Sequence, residues 1–94
     1  MEKPRSIVFS EHFLERCWNR YVNPNEIRKI LLTIDVNFND EIQLCFHPKF
    51  LTSFGIKCRE SQCIVVVVKR RMVITCYSRE QQLCIKNKSL THFN

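Results

Sequence analysis

The chain has 94 residues, of which 45% are hydrophobic and 26% charged, a composition typical of one small globular domain. No apolar run approaches the roughly 20 residues of a membrane-spanning helix, and the single glycine excludes a P-loop or a dinucleotide fingerprint. The net charge of +6 favours a polyanionic partner, with nucleic acid ahead of an acidic protein, and no membrane partner is expected.

The first predicted helix begins after Ser10, a favourable N-cap residue, and runs to about Tyr21. Its apolar side chains recur at helical spacing, which predicts that one face of the helix is buried. The predicted buried face consists of Phe13, Leu14, Cys17, Trp18 and Tyr21.

A basic stripe runs along another side of this helix, because His12, Arg16 and Arg20 recur every four residues. Like charges at this spacing repel each other and lower helix stability, so the stripe favours a role outside folding, such as contact with a polyanion. The alternative is a solvated face whose charge Glu11 and Glu15 partly neutralise.

The second predicted helix has the clearest start in the chain, Asn23-Pro24-Asn25-Glu26. Asparagine is a good N-cap, proline suits the first helical position, and a glutamate three residues after the cap can reach back to it. A buried stripe follows at helical spacing, formed by Ile27, Ile30, Leu31 and Ile34.

From Val36 onwards the apolar pattern changes to a period of two, which is typical of strands. The predicted strands lie at 42–46, 63–68 and 72–77, with a less certain one at Leu83–Ile85. Lys69-Arg70-Arg71 forms a short hairpin connection, and the stretch after His47-Pro48 is loop-like.

This order predicts an α+β fold in which two N-terminal helices pack on one face of a four-stranded, mainly antiparallel sheet. Residues 1–94 form a single domain with a core at about 6–86, and the tail at 87–94 is expected to be loosely ordered. The N-terminus lacks the apolar segment of a secretory signal, so a cytoplasmic location is expected.

Six cysteines raise the question of a disulfide or a metal site. No C-x-x-C pair occurs, and most of the cysteines lie in apolar patterns, so reduced thiols with no metal and no cofactor are predicted. A zinc ion, if one binds, would be expected at Cys58 and Cys63. His47, before a proline, and His92, in the predicted loose tail, are weak candidates for function.

The H-x-x-x-R-x-x-x-R helix, the capped second helix and the closing segment CIVVVVKRRMVITCYSRE resemble a family of small bacterial domains of unknown function. That family is grouped with the RelE, barnase and colicin-type (BECR-fold) ribonucleases, and the similarity covers roughly residues 8–80. It implies a compact ribonuclease-type fold of the kind found in toxin–antitoxin systems and polymorphic toxins. Tyr21 stands where the family usually has a glycine, which leaves the position of Arg20 open.

The resemblance implies a catalytic group of His12, Arg16, Arg20 and Tyr77. Metal-independent cleavage by 2′-hydroxyl attack needs a proton acceptor, a proton donor and a stabiliser of phosphorane charge. Histidine suits the proton transfers, arginine matches phosphate oxygens, and tyrosine can stack on a base or donate a hydrogen bond. Residues expected to contact RNA are Arg59, Arg70, Arg71, Ser78 and Arg79.

Two functions follow from this reading. The first is a small endoribonuclease toxin, with RNA as its substrate and an antitoxin or immunity protein as its partner. The second is a non-catalytic module that uses the same basic face to bind nucleic acid or protein. Arginines serve both functions, so the proton-transfer residues His12 and Tyr77 are what distinguish them.

Overall fold

A computed structural model describes residues 7–19, 22–57 and 61–94. Four helices and five strands make up this part of the chain, in the order β-α-α-β-α-β-β-α-β. The strands are β1 (Val8–Phe9), β2 (Ile42–Phe46), β3 (Gln62–Lys69), β4 (Met72–Glu80) and β5 (Thr91–Phe93). The helices are α1 (Glu11–Asn19), α2 (Pro24–Thr33), α3 (Pro48–Ser53) and α4 (Gln81–Ile85).

The five strands form one mixed sheet in the order β1-β4-β3-β2-β5. The central strand β3 is antiparallel to both of its neighbours, whereas the edge strands β1 and β5 run parallel to β4 and β2. The expected architecture of two helices on a four-stranded, mainly antiparallel sheet is therefore wrong in its numbers of helices and strands and in its strand directions. The described residues form an α+β fold with four helices and a five-stranded mixed sheet.

The extra elements come from short segments with weak sequence patterns. Leu83-Cys84-Ile85, predicted as a strand, belongs to helix α4, where Cys84 alone of the three is buried. A single buried residue between two exposed ones fits a strand and a short helix equally well. Thr91–Phe93, in the segment predicted to be loose, pairs with β2 as strand β5.

The caps of α1 and α2 are side chains that the sequence singles out. Ser10 Oγ accepts a hydrogen bond from the Phe13 amide at 3.0 Å and donates one to the Ile74 carbonyl at 2.7 Å, so the start of α1 is fixed to β4. Asn23 caps α2 by accepting a hydrogen bond from the Asn25 amide at 2.9 Å, with Pro24 in the first turn. Both predicted N-caps are confirmed.

The two faces of the sheet carry different cores. The main core lies on the face covered by α1, α2 and α3 and contains most of the buried apolar side chains among the described residues. On the opposite face α4 and the segment after it cover a smaller cluster, which contains Cys45, Cys63, Val65, Cys84 and Leu90, with Tyr77 packed against it. Among the described residues, no helix is long and apolar enough to cross a membrane.

The buried face of α1 is narrower than its sequence predicts. Phe13 and Cys17 are buried, but Leu14 is 42% exposed and Trp18 is 84% exposed, so the predicted core role of these two residues is wrong. A helix on one edge of a sheet buries only the strip that faces the sheet, while the apolar residues beside that strip stay in solvent. Tyr21, the fifth predicted member of this face, lies outside the described residues.

Candidate functional site

The basic stripe of α1 is only partly described. His12 is exposed and Arg16 is half-buried, and their four-residue spacing places them on the same side of the helix. Arg20, predicted to be catalytic, and Arg59, predicted to contact RNA, both lie outside the described residues. The described part of the stripe thus consists of the His12 imidazole and the Arg16 guanidinium, both carried by α1 on the main-core face of the sheet.

The predicted residues of β4 lie on two faces, because side chains alternate along a strand. Cys76 packs in the main core beneath α1, so Ser78 points to the same side. Tyr77 packs instead against the smaller cluster on the opposite face, and the Arg79 guanidinium lies 5.7 Å from the centre of its ring.

The sheet therefore separates the predicted catalytic residues. His12 and Arg16 belong to the helix that packs on the main-core face, whereas Tyr77 belongs to the face under α4. A proton donor and a proton acceptor must reach the same phosphate to cleave RNA, and a sheet about 10 Å thick with its side chains stands between these two. Of the predicted RNA contacts, Ser78 lies on the main-core face of the sheet and Arg79 lies on the face under α4.

The remaining predicted RNA contacts lie at the turn between β3 and β4. Lys69, Arg70 and Arg71, here called the basic hairpin tip, are all exposed. Lys69 pairs with Met72, so Arg70 and Arg71 form a two-residue turn, and both have positive φ angles of 50° and 65°. Two consecutive left-handed residues define the type of turn in which Asn-Gly is usual. Arginine is strained in this conformation, at a cost of about 1–2 kcal/mol per residue.

Arg71 is the fixed member of the basic hairpin tip. Its Nε donates a hydrogen bond to Asn39 Oδ1 at 3.1 Å, and its amide donates to the Phe38 carbonyl at 2.8 Å. An open groove of about 290 Å³ lies between Arg71 and residues 35–39. Anchored in this way, Arg71 keeps the tip in place, while Lys69 and Arg70 project from it into solvent.

A second group of reactive side chains lies under α4 and was missed by sequence reasoning. We call it the Cys/His cluster, and it comprises Cys45, His47, Cys63, Cys84 and His92. The sulfur atoms of its three cysteines lie within 4.8 Å of one another, and all three side chains are fully buried. None of the five described cysteines forms a disulfide.

The strand register explains how distant residues meet in this cluster. Cys45 on β2 and His92 on β5 are paired neighbours and point to the same face. His47, two residues after Cys45, returns to that face and lies beside Cys63 of β3. Helix α4 then places Cys84 above them.

The two imidazoles of the cluster have a defined hydrogen-bond order. His92 Nε2 lies 3.0 Å from the Asn87 carbonyl and must donate to it, which leaves His92 Nδ1 as an acceptor. His47 Nε2, at 2.9 Å, donates to that acceptor. His47 Nδ1 is then an acceptor as well, facing the Cys63 thiol and the Gln81 amide nitrogen, each at 3.2 Å.

Burial shifts the proton equilibria of the cluster. It raises the pKa of the Cys45 thiol far above its usual value, and the neighbouring Cys84 and Cys63 thiols add to the shift. It lowers the pKa of His47, with the nearby His92 as a second cause. Both shifts favour the uncharged forms, so in the absence of a bound cation Cys45 keeps its proton and the His47 imidazole is uncharged at neutral pH.

Sequence spacing does not reveal this cluster, because its cysteines lie 18 and 21 residues apart in sequence and on three separate elements. Of the pair suggested for zinc, Cys63 lies near Cys45 and Cys84, whereas Cys58 is outside the described residues. The one available signal in the sequence is that Cys45 and His47 stand two residues apart at the end of a strand pattern, a spacing that places both side chains on one face.

Comparison with protein-family models, with curated proteins and with solved structures finds no match to this chain.

Proposed function

We propose that this protein binds single-stranded RNA through the phosphate backbone, with the basic hairpin tip at the centre of the contact. The observation that carries this proposal is the pair of arginines in a turn that favours Asn-Gly. Folding alone disfavours Arg70 and Arg71 there, so their presence points to a use for two guanidinium groups at an exposed tip.

The chemistry of the tip suits phosphate better than other anions. Guanidinium groups bind phosphate oxygens through two parallel hydrogen bonds, and Lys69 adds a third charge beside Arg70. The overall charge of +6 would attract any polyanion and speed the encounter. An acidic protein surface is the competing partner, and the binding test below separates the two.

Trp18 favours single-stranded over double-stranded nucleic acid. It is 84% exposed on α1, which is unusual for the largest apolar side chain. Proteins that bind single strands combine a basic surface with exposed aromatic rings on which unpaired bases stack. Trp18 is also the only tryptophan in the chain, so its fluorescence reports on such stacking directly.

Catalysis is not needed for this proposal. RNA cleavage, a toxin role and an antitoxin or immunity partner stay predictions from family resemblance. The described residues of the predicted catalytic group are divided by the sheet, so a cleavage site on α1 would have to rely on His12 and Arg16 without Tyr77.

The test compares the wild type with a variant that keeps the turn and removes its charge. Arg70→Asn/Arg71→Gly installs the preferred turn residues, and Lys86→Gln/Lys88→Gln removes two exposed cations elsewhere as a matched control. Fluorescence anisotropy of a labelled single-stranded RNA is measured over a range of salt concentrations, and a gel records whether the RNA stays intact.

Each phosphate that the protein no longer neutralises should lower the log–log salt slope by about 0.7, so the tip variant should lose about 1.4 in slope and bind on the order of tenfold more weakly at 0.1 M salt. The control should change less. Wild-type protein that does not bind RNA at low salt, or a tip variant with the full slope, would overturn the proposal.

A further inference from the structure

We propose that Cys45, Cys63, Cys84 and His47 bind a zinc ion on the sheet face beneath α4. Three cysteines and one histidine are one of the ligand sets of structural zinc sites. The four residues come from β2, the residue after it, β3 and α4, so one ion would join the short helix to the centre of the sheet.

The distances among the three sulfurs are close to those that zinc requires, and His47 Nδ1 meets this set from the Cys63 side. Tetrahedral bonds of about 2.3 Å to sulfur and 2.0–2.1 Å to nitrogen place two sulfurs about 3.8 Å apart and a sulfur and a nitrogen about 3.6 Å apart. His47 Nδ1 lies 3.2 Å from Cys63 Sγ, and the three sulfurs lie within 4.8 Å of one another. Cys45 Sγ lies nearer the other ring nitrogen, 3.7 Å from His47 Nε2. Closing the site around an ion would therefore move the sulfurs by about 1 Å or less relative to one another, and the His47 ring would have to shift so that Nδ1 faces all three sulfurs.

The surroundings of His47 match those of a metal ligand. Metal-binding histidines usually donate their second ring N–H to a fixed acceptor, which sets the tautomer and the ring orientation. His47 Nε2 donates to His92 Nδ1 at 2.9 Å, and His92 in turn donates to the Asn87 carbonyl at 3.0 Å. The lone pair of His47 Nδ1 faces the Cys63 sulfur and the Gln81 amide nitrogen, each at 3.2 Å, so the Gln81 amide would have to move away for an ion to bind there.

A core of unligated thiols explains this cluster less well. The same layer holds the apolar Val65 and Leu90, and an apolar residue in place of the buried His47 would need none of the hydrogen-bond partners that surround its imidazole. A disulfide would use two of the three sulfurs and leave the third. Helix α4 has only five residues, too few to be stable on its own, and a metal bond to Cys84 would hold it against the sheet.

Binding can be written with its protons in balance. Three S–H bonds break, three protons pass to the buffer, and three Zn–S bonds and one Zn–N bond form while His47 stays uncharged. The site then carries a net charge of −1. Arg79 pairs with Cys63 across β3 and β4 and provides a neighbouring positive charge. This pairing also gives Arg79 a role that does not involve RNA.

The experiment loads the full chain with metal and counts thiols. The protein is expressed with zinc and analysed by elemental analysis, and the metal-free protein is titrated with Co²⁺ under reducing conditions. We expect one zinc per chain, sulfur-to-cobalt charge-transfer absorption with tetrahedral d–d bands, and three fewer reactive thiols of the six after one equivalent of zinc. No stoichiometric metal and no charge-transfer band would overturn the proposal.

Variants identify the ligands. Cys84→Ala, at the edge of the cluster, should lose zinc, and His92→Ala should weaken binding by about 10–100-fold as the partner of a ligand. Cys17→Ala is the matched control, because it removes a buried thiol of the main core and should keep one zinc. Zinc that persists in Cys84→Ala but is lost in Cys58→Ala would show that the proposed ligand set is wrong. A disulfide among the three cysteines in the protein as isolated would also show this.

Discussion

Cys76 and Tyr77, neighbours on β4, point to opposite faces of the sheet, with Cys76 in the main core beneath α1 and Tyr77 against the Cys/His cluster. The Cys76 thiol also contacts Cys17 of α1, and burial together with this contact raises the pKa of Cys17 to about 12. This contact fixes α1, which carries His12 and Arg16, to the main-core face of the sheet. Tyr77 lies on the other face.

This relationship makes a prediction about catalysis. If the protein cleaves RNA, Tyr77→Phe should leave the rate unchanged, because its hydroxyl lies across the sheet from the basic stripe. His12→Ala should remove the activity, by about 100-fold or more for a general acid or base. Cleavage of a labelled RNA by each variant is the measurement. Equal losses from both changes would mean that the two residues share a site and that the assignment of faces is wrong.

Much of the secondary structure could be predicted because it depends on strong local signals. Serine and asparagine are favourable N-caps before a helical pattern, as Ser10 and Asn23 are here. The run at 63–68 is apolar on both faces because β3 is the central strand. The edge strand β5 escaped prediction for a physical reason. A three-residue strand is determined by the neighbour it pairs with, and local sequence carries little information about that neighbour.

Of the two candidate sites, only the basic hairpin tip could be predicted, because its charge is visible in the sequence. The basic hairpin tip follows from three consecutive cations between two strands. The strain at Arg70, by contrast, depends on the exact strand register, which set the turn at two residues. The Cys/His cluster depends on β5 pairing with β2, because that pairing brings His92 to Cys45.

The two sides of α1 should differ in their effect on stability. Phe13 is fully buried in the main core, and Phe13→Ala should lower the free energy of unfolding by about 3–5 kcal/mol. Trp18→Ala, at an exposed site on the same helix, should change it by about 0.5 kcal/mol or less. Urea unfolding measures both. A large loss for Trp18→Ala would mean that its ring is covered in solution, for example by a second copy of the chain.

The strained hairpin tip predicts a stabilising mutation. Arg70→Gly relieves a left-handed arginine and should raise the free energy of unfolding by about 0.5–1 kcal/mol after the entropy cost of glycine. For a domain of this size about 1 kcal/mol corresponds to a rise in melting temperature of roughly 4–8 °C. Lys69→Gly is the control: Lys69 ends β3 without a positive φ angle, so glycine there should lower the melting temperature.

The last prediction concerns acid stability of the metal-free protein. Burial lowers the pKa of His47 below its ordinary 6.5, so in mildly acidic solution the unfolded chain binds a proton that the folded chain does not. The contribution of His47 to the free energy of unfolding is therefore fully present above pH 6.5. It falls as the pH drops towards the folded pKa, with a slope approaching about 1.4 kcal/mol per pH unit.

Urea unfolding with a chelator present, measured from pH 7.5 downwards, tests this. The loss should begin near pH 6.5, above the range where carboxylates titrate, and it should persist in His12→Ala, whose exposed imidazole lies outside the cluster. Constant stability down to pH 5 would mean that His47 binds its proton equally well in the folded and unfolded chains. Solvent would then reach the His47 imidazole in the folded chain, contrary to its burial.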